Sequence, residues 1–318
     1  MKRVLLTGAT GFVGRQAIGP LRDRGYDVHA VSSRRPRENA ADVHWHTADL
    51  LDHAAASDLV RRVQPTHLLH LAWYAEPGKF WTSPENDRWL AASRRLLDVF
   101  ADAGGRRAVV AGTCAEYDWS GGGRCREGIT PLHPATPYGR AKAALHAEVA
   151  ESFARAGMPS LGWGRIFFLY GPAEDPRRLV SSVIDAILDG RPALCSHGRQ
   201  VRDFLHTADV AAGFAALLDA DHVHGAVNVA SGEPVTIAEL VGLIGRACAR
   251  PDLIELGALT ARADDPPLLV ADTRRLQAEV GFVTRRTLAD GIASTVQWWR
   301  HERAVHQAPA PGGPARGD

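Results

Sequence analysis

Tyr138 and Lys142 stand four residues apart in Thr136-Pro137-Tyr138-Gly139-Arg140-Ala141-Lys142, a spacing that puts a phenol and an ammonium on one face of a helix. Such a pair can move a proton. A free tyrosine ionises near pH 10, so acting as an acid or base near neutrality asks for a change of about 4 kcal/mol between its two protonation states. A helix N-terminus supplies about 0.3–1 kcal/mol of this, whereas a cation roughly 4 Å away at moderate dielectric supplies ~4 kcal/mol. Lys142 is therefore expected to be the main tuning group. Thr136 suits the N-cap and Pro137 the first helical position, where a missing N–H does no harm. Taken alone, the pair could equally be two neighbours on an exposed helix.

A second set of residues suits an anion. Thr7-Gly8-Ala9-Thr10-Gly11-Phe12-Val13-Gly14 follows the apolar run Val4-Leu5-Leu6 and leads into an amphipathic stretch, the order of a strand, a glycine turn and a helix. Gly8 permits the turn, Gly11 the close approach of a pyrophosphate, and Gly14 the packing of helix on strand, while the helix N-terminus offers free N–H groups. In that context the glycines read as a dinucleotide site. The next strand ends in Val31-Ser32-Ser33-Arg34-Arg35, with no acid between residues 28 and 37. A carboxylate there would bind the adenosine ribose hydroxyls and repel a 2′-phosphate. Two hydroxyls and two guanidiniums instead suit a phosphate dianion, so NADP(H) is favoured over NAD(H). The alternative is a solvated arginine loop.

Both groups need a scaffold, and the rest of the pattern describes one. Short apolar runs alternate with amphipathic stretches: 3–6, a helix to 24, 28–31, 43–46, a helix about 54–63, 67–71, a helix about 84–103, and 108–111. Parallel strands covered by helices on both faces read as near-continuous apolar runs, and right-handed crossovers build from them a doubly wound α/β sheet. Its ligand crevice lies at the carboxyl ends of the strands. From Leu169 onward, Gly-Pro, Glu-Asp-Pro and Arg-Pro turns break the alternation, leaving periodic pieces at 179–188 and 237–247. We read residues 1–168 as a dinucleotide-binding domain to which 205–230 return, and 169–204 with 231–303 as a smaller α/β substrate lobe. Residues 304–318, rich in Pro, Gly and Ala, read as a disordered tail.

Composition narrows the function class. The chain has 318 residues, 45% hydrophobic and 23% charged, enough for a large α/β domain and a second lobe. A formal net charge of +1 with scattered arginines makes no electrostatic case for nucleic acid or an anionic membrane. Cys114, Cys125, Cys195 and Cys248 form no C-x-x-C pair, which suggests neither a zinc site nor a disulfide framework and fits a reducing cytoplasm. Neither a secretory signal nor a membrane span is expected. His44 and His46, alternating on one strand face, and His67 with His70 invite a metal reading. No acidic or cysteine partner stands at ligand spacing, so packing or exposure is expected instead, and no metal. Trp298-Trp299 ends the last expected helix and reads as a packing anchor.

The chain resembles the extended short-chain dehydrogenase/reductase family over roughly residues 1–300. The matching pieces are the Gly8, Gly11, Gly14 turn, Ala48-Asp49-Leu50, His70-Leu71-Ala72, Gly112-Thr113, Tyr138 with Lys142, Tyr170-Gly171-Pro172, and Arg202-Asp203-Phe204-Leu205-His206. The resemblance implies a Rossmann sheet and a homodimer paired through the helices about 84–103 and 137–156. It implies Tyr138 as the catalytic acid/base, Lys142 as the group that holds the nicotinamide ribose and depresses the tyrosine pKa, and Thr113 as the group that orients the substrate oxygen. Cofactor contacts are then expected from Gly8, Thr10, Gly11, Phe12, Val13, Gly14, Ser32, Ser33, Arg34, Asp49, Leu50, Leu71, Ala72, Trp73, Tyr138 and Lys142. Arg177 and Arg202 are expected beside the substrate, Arg202 at the nucleotide or diphosphate of a nucleotide-sugar.

Membership does not name the reaction, and local residues narrow it. Dehydratases of this kind carry an Asp-Glu pair where this chain has Cys114-Ala115, so elimination of water has no evident proton carriers. Glu116 falls one position late and reads as a structural hydrogen-bonding residue; Cys114 lacks a base. An internal epimerase returns its hydride to the same sugar and retains NAD, whereas a reductase draws on NADPH, so Ser33 and Arg34 favour reduction. The leading expectation is an NADPH-dependent 4-ketoreductase of a nucleotide-linked 4-keto-6-deoxysugar. A nucleotide-sugar 4-epimerase and a non-catalytic NADP-binding sensor are the alternatives. Phe168 stands where many relatives place an asparagine that meets the substrate diphosphate, so either Arg177, Arg178 or Arg202 takes that contact or the substrate differs, as a small carbonyl compound or polyketide-like alcohol would. Trp73, Tyr74 and Phe80 could stack on a sugar or pack the loop.

Overall fold

The computed structural model describes residues 2–34, 42–261 and 265–307. Apolar strands and amphipathic helices alternate through its first half. In order they are β1 (Lys2–Thr7), α1 (Gly14–Asp23), β2 (Tyr26–Ser32), β3 (His44–Thr47), α2 (His53–Val63), β4 (His67–His70), α3 (Glu85–Asp102), β5 (Arg107–Thr113), α4 (Pro137–Phe153) and β6 (Ser160–Ile166). After a short β7 (Phe168–Tyr170) come α5 (Leu179–Leu188), β8 (Ala193–Leu194), β9 (Val201–His206) and α6 (Thr207–Asp219). The chain closes with β10 (Gly225–Val229), β11 (Pro234–Thr236), α7 (Ile237–Ala247), β12 (Ile254–Glu255), β13 (Leu268–Leu269), α8 (Arg274–Ala278) and α9 (Leu288–Gln307).

Seven strands form one parallel sheet in the order β10-β6-β5-β4-β1-β2-β3. Because strand side chains alternate between faces, Val4 and Leu6 join Ala17, Leu21 and Phe214 of α1 and α6 on one side. Leu5 joins Leu59, Leu96, Leu97 and Leu145 of α2, α3 and α4 on the other. Every residue of β5 is buried, the expected state of a central strand covered twice. The order places the β1 and β4 ends side by side, where the sheet reverses direction and a crevice opens.

A smaller sheet holds β11, β9 and β13, with β7 also paired to β9. Its helices α5, α7 and α9 enclose a separate core that includes Val183, Ile184, Leu240, Ile244, Ile292 and Val296. Asp203 ties this sheet to neighbouring loops, accepting hydrogen bonds from Ser231 N and Oγ, Gly232 N and Ala271 N.

Residues 304–307, expected in a tail, are helical instead, because α9 continues to Gln307. Arg303 holds this last turn against α5, its guanidinium bonding to Asp189 at 2.6 Å and to Asp185. The rest of that segment, 308–318, lies outside the described residues. Trp299 packs on the second core as an anchor, within α9 rather than at its end. The four cysteines are buried and free. Among the described residues no helix is long and apolar enough to cross a membrane.

Candidate active site

The end of β5 and the start of α4 interlock, and small residues make this possible. A Cβ on Gly139 would stand 2.2 Å from Ala115 O, so only glycine lets the first turn of α4 settle against the backbone after β5. Gly112 is equally constrained, since a Cβ there would stand 2.1 Å from the Trp163 indole nitrogen. Thr136 caps α4 by accepting from Gly139 N at 3.1 Å, with Pro137 in the first turn. The turn after β5 carries a capping box: Thr113 Oγ1 accepts from Ala115 N at 3.2 Å, and Glu116 Oε1 accepts from Thr113 N at 2.8 Å. Thr113 and Tyr138 are thereby brought together.

Aromatic rings enclose the phenol. Phe80 and Trp81 pack edge-on to Tyr138 at 4.9 and 5.7 Å between centroids, and Tyr138 N donates to Trp81 O at 3.2 Å. Burial drives the Tyr138 pKa above its ordinary value, and contact with the Thr113 hydroxyl opposes this. The Arg178 guanidinium is a cation that acts to lower it. The Lys142 ammonium has partners of its own. Lys142, only 2% exposed, donates to Ala111 O at 2.8 Å and lies 3.7 Å from the centroid of the Trp73 ring. Burial with no bonded carboxylate brings its pKa down to about 7, against the attraction of Glu116.

Glu116 is the structural group expected. Fully buried, it accepts from Thr113 N, from Trp163 Nε1 at 2.9 Å and from Arg165 Nε at 2.7 Å. Cys114 is also buried, and burial raises its thiol pKa away from reactivity.

The glycine turn follows β1 at the same edge of the sheet. Gly8 adopts φ +68°, and a Cβ on Gly14 would stand 2.0 Å from Gly8 O. Val13 begins α1, and Phe12 O accepts from Thr207 Oγ1 at 3.1 Å, which pins the loop to α6. Thr10 Oγ1 and Ser32 Oγ lie 3.4 Å apart, and Ser32 Oγ accepts from Arg34 N at 3.2 Å. Ser33 and Arg34 are exposed; Arg35 lies outside the described residues. Asp49 is exposed and caps Leu51 N, beside buried Leu50. Leu71 N donates to Thr7 O, and Ala72 N to Thr7 Oγ1, which closes the β4 edge against the turn. This cradle fits a dinucleotide: its glycines leave no side chain over the turn, and hydroxyls with an exposed guanidinium stand at the β2 end.

On the facing side, Arg177 is half-exposed and paired with Asp175 at 2.9 Å and Glu76 at 3.5 Å. Arg202 is 3% exposed, bonded to Asp265 at 2.5 Å and set 5.4 Å from the Phe168 ring. Phe168 packs in turn, tilted, against Phe204. Of the three arginines considered, Arg178 has the charge that reaches Tyr138, and its guanidinium makes no hydrogen bond among the described residues. Phe80 and Trp73 pack on Tyr138 and Lys142, and Tyr74 donates to Glu76. Trp81, Gly139 and Asn86, which accepts from Trp73 Nε1 at 2.9 Å, were missed from sequence. The concentration of tryptophan at 73, 81 and 89 was the available signal.

Comparison with known proteins agrees with this geometry. The chain is 26% identical over 324 residues to a dTDP-glucose 4,6-dehydratase of Streptomyces griseus, covering 98% of both chains. To a UDP-glucose 4-epimerase of Azospirillum brasilense it is 27% identical over 346 residues, covering 98% of this chain and 97% of the relative. The structure of MoeE5 in complex with UDP-glucuronic acid and NAD superposes with a TM-score of 0.81 at 30% identity, covering 94% of this chain and 99% of that one. Residues 4–230 match a single family, and the chain belongs to it: the NAD dependent epimerase/dehydratase family.

Proposed function

We propose that the protein is an NADPH-dependent reductase acting on the C4 keto group of a nucleotide-linked 4-keto-6-deoxysugar. The observation that carries this reading is Tyr138, packed by Phe80 and Trp81 beside Thr113, while the nearby Glu116 carboxylate is held by other partners. Burial keeps the phenol in its acid form, the form that a reduction consumes. Dehydration is disfavoured because the neighbouring carboxylate, Glu116, is spent on Thr113, Trp163 and Arg165.

The glycine turn, Ser32, Ser33 and Arg34 would hold NADP(H), Lys142 its nicotinamide ribose. When bound, the cofactor supplies the hydride. Tyr138 donates its proton to the C4 oxygen, and Thr113 orients that oxygen by hydrogen bonding. Arg178, whose charge also acts on Glu174 and Asp175, would meet the anionic part of the substrate together with Arg177 and Arg202. The substrate class is supported by relatives named for dTDP-glucose and UDP-glucose and by the MoeE5 complex with UDP-glucuronic acid. A homodimer paired through α3 and α4 and a cytoplasmic location complete the proposal.

One observation favours a second reading. The full-length likeness to a UDP-glucose 4-epimerase and to an NAD-bound structure supports 4-epimerisation with retained cofactor. A panel of nucleotide-linked 4-ketosugars, followed by NADPH absorbance, separates the two. Stoichiometric loss of NADPH establishes reduction; interconversion of two sugars without net cofactor use replaces it with epimerisation. NADPH binding with neither reaction points to a sensor.

A further inference from the structure

Away from the crevice, the far edge of the large sheet gathers three histidines and an aspartate. β2 and β3 run parallel with His29 opposite His44 and Val31 opposite His46, so alternation puts Asp27, His29, His44 and His46 on one face. The acidic partner absent from the sequence spacing is supplied across the strand pair. Asp27 Oδ1 lies 3.2 Å from His44 Nε2, and Asp27 Oδ2 lies 3.3 Å from His29 Nε2. One ligand atom from each of the three residues lies within 4.8 Å of the other two.

We infer that Asp27, His29 and His44 form a binding site for a divalent transition ion of the zinc class. Metal–nitrogen and metal–oxygen bonds of about 2.0–2.2 Å in a tetrahedron place ligand atoms roughly 3.3–3.5 Å apart, a spacing the three groups reach by small side-chain rotations from their 4.8 Å span. Two imidazoles and one carboxylate suit zinc, cobalt or nickel, whereas magnesium and calcium prefer oxygen alone. The fourth position faces solvent, because His44 is 63% exposed at its side chain and β3 is the edge strand. His46 serves as the outer partner: its Nε2 lies 2.9 Å from His29 Nδ1, a contact that orients the His29 ring and leaves its Nε2 for the ion. Arg3, 3.4 Å from Asp27 Oδ2, and Arg62 near His46 oppose a cation and weaken its binding.

Such an ion would bridge β2 to β3 and clamp the strand that leads into the Ser33-Arg34 loop. The test uses tag-free full-length protein stripped with chelator and titrated calorimetrically with zinc, with cobalt as a spectroscopic probe. One zinc per chain, the visible bands of tetrahedral cobalt and a higher melting temperature are expected, and magnesium should give none of these. His44→Gln, an exposed change, and Asp27→Asn should each abolish the stoichiometric binding. His133→Gln, equally exposed, should retain it. Absence of saturable zinc binding in the parent protein, or binding unchanged in His44→Gln, overturns the site.

Discussion

Two buried cations flank β5 and have opposite surroundings. Arg165 on β6 and Lys142 on α4 are each 2% exposed. Arg165 is bonded to the Glu116 carboxylate at 2.7 Å and lies 4.6 Å from the Tyr117 ring, and Glu116 helps raise its pKa. Lys142 has a backbone carbonyl and an indole but no bonded carboxylate, and its pKa falls to about 7. A satisfied pair is scaffolding, since removing either partner strands a charge in low dielectric. An unsatisfied ammonium costs stability while holding a proton that can leave near neutrality. Substitutions on the Glu116 side should therefore change stability first, and those on the Lys142 and Tyr138 side turnover first.

The sharpest break of this contrast is Tyr138→Phe. It should lower kcat about 1000-fold, roughly 4 kcal/mol of barrier, while cofactor affinity by fluorescence titration stays within about twofold. Retained turnover would remove the phenol from the chemistry. Glu116→Gln should cost about 3–5 kcal/mol by stranding Arg165 and lower the melting temperature by about 10 °C, a shift scanning calorimetry resolves.

Lys142→Met should act in the reverse sense, stabilising the chain and costing about 100-fold in kcat. The lysine's folded pKa lies below its ordinary value of 10.5, so its destabilising contribution is complete below about pH 7. That contribution shrinks as the pH rises from 7 and is gone above 10.5. Melting temperatures of Lys142→Met and parent should therefore differ most near pH 6 and converge in alkali; a constant difference would contradict an unsatisfied lysine. The smallest effect is expected at the β2 end, where Arg34→Ala should raise the NADPH KM about tenfold and leave that for NADH unchanged. Equal changes for both cofactors would assign Arg34 to the solvated loop.

Much of the scaffold was legible because its signals are local. The helices Leu179–Leu188 and Ile237–Ala247 lie at the bounds that their periodicity indicates, and β1 to β5 match the apolar runs within one or two residues, whereas no run marks β6. Glu116 was read as structural from a one-position offset alone, and the structure shows its three partners. The helix end at Gln307 was not legible: the last helical turn carries no composition signal that sets it apart, and the contacts of Arg303 with Asp185 and Asp189 join it to a distant element.

Residue types and short spacings were enough to determine the strand–glycine–helix turn, the Thr136 cap and the placement of Tyr138 and Lys142 one turn apart on α4. They depend on neighbours within a turn or two of chain, where backbone geometry leaves few choices. Tertiary structure alone decided which rings pack on Tyr138, where the Lys142 ammonium points, and that Asp27 meets His44. Those outcomes rest on desolvation and on contacts between residues distant in the chain, and neither quantity is present until the sheet has formed.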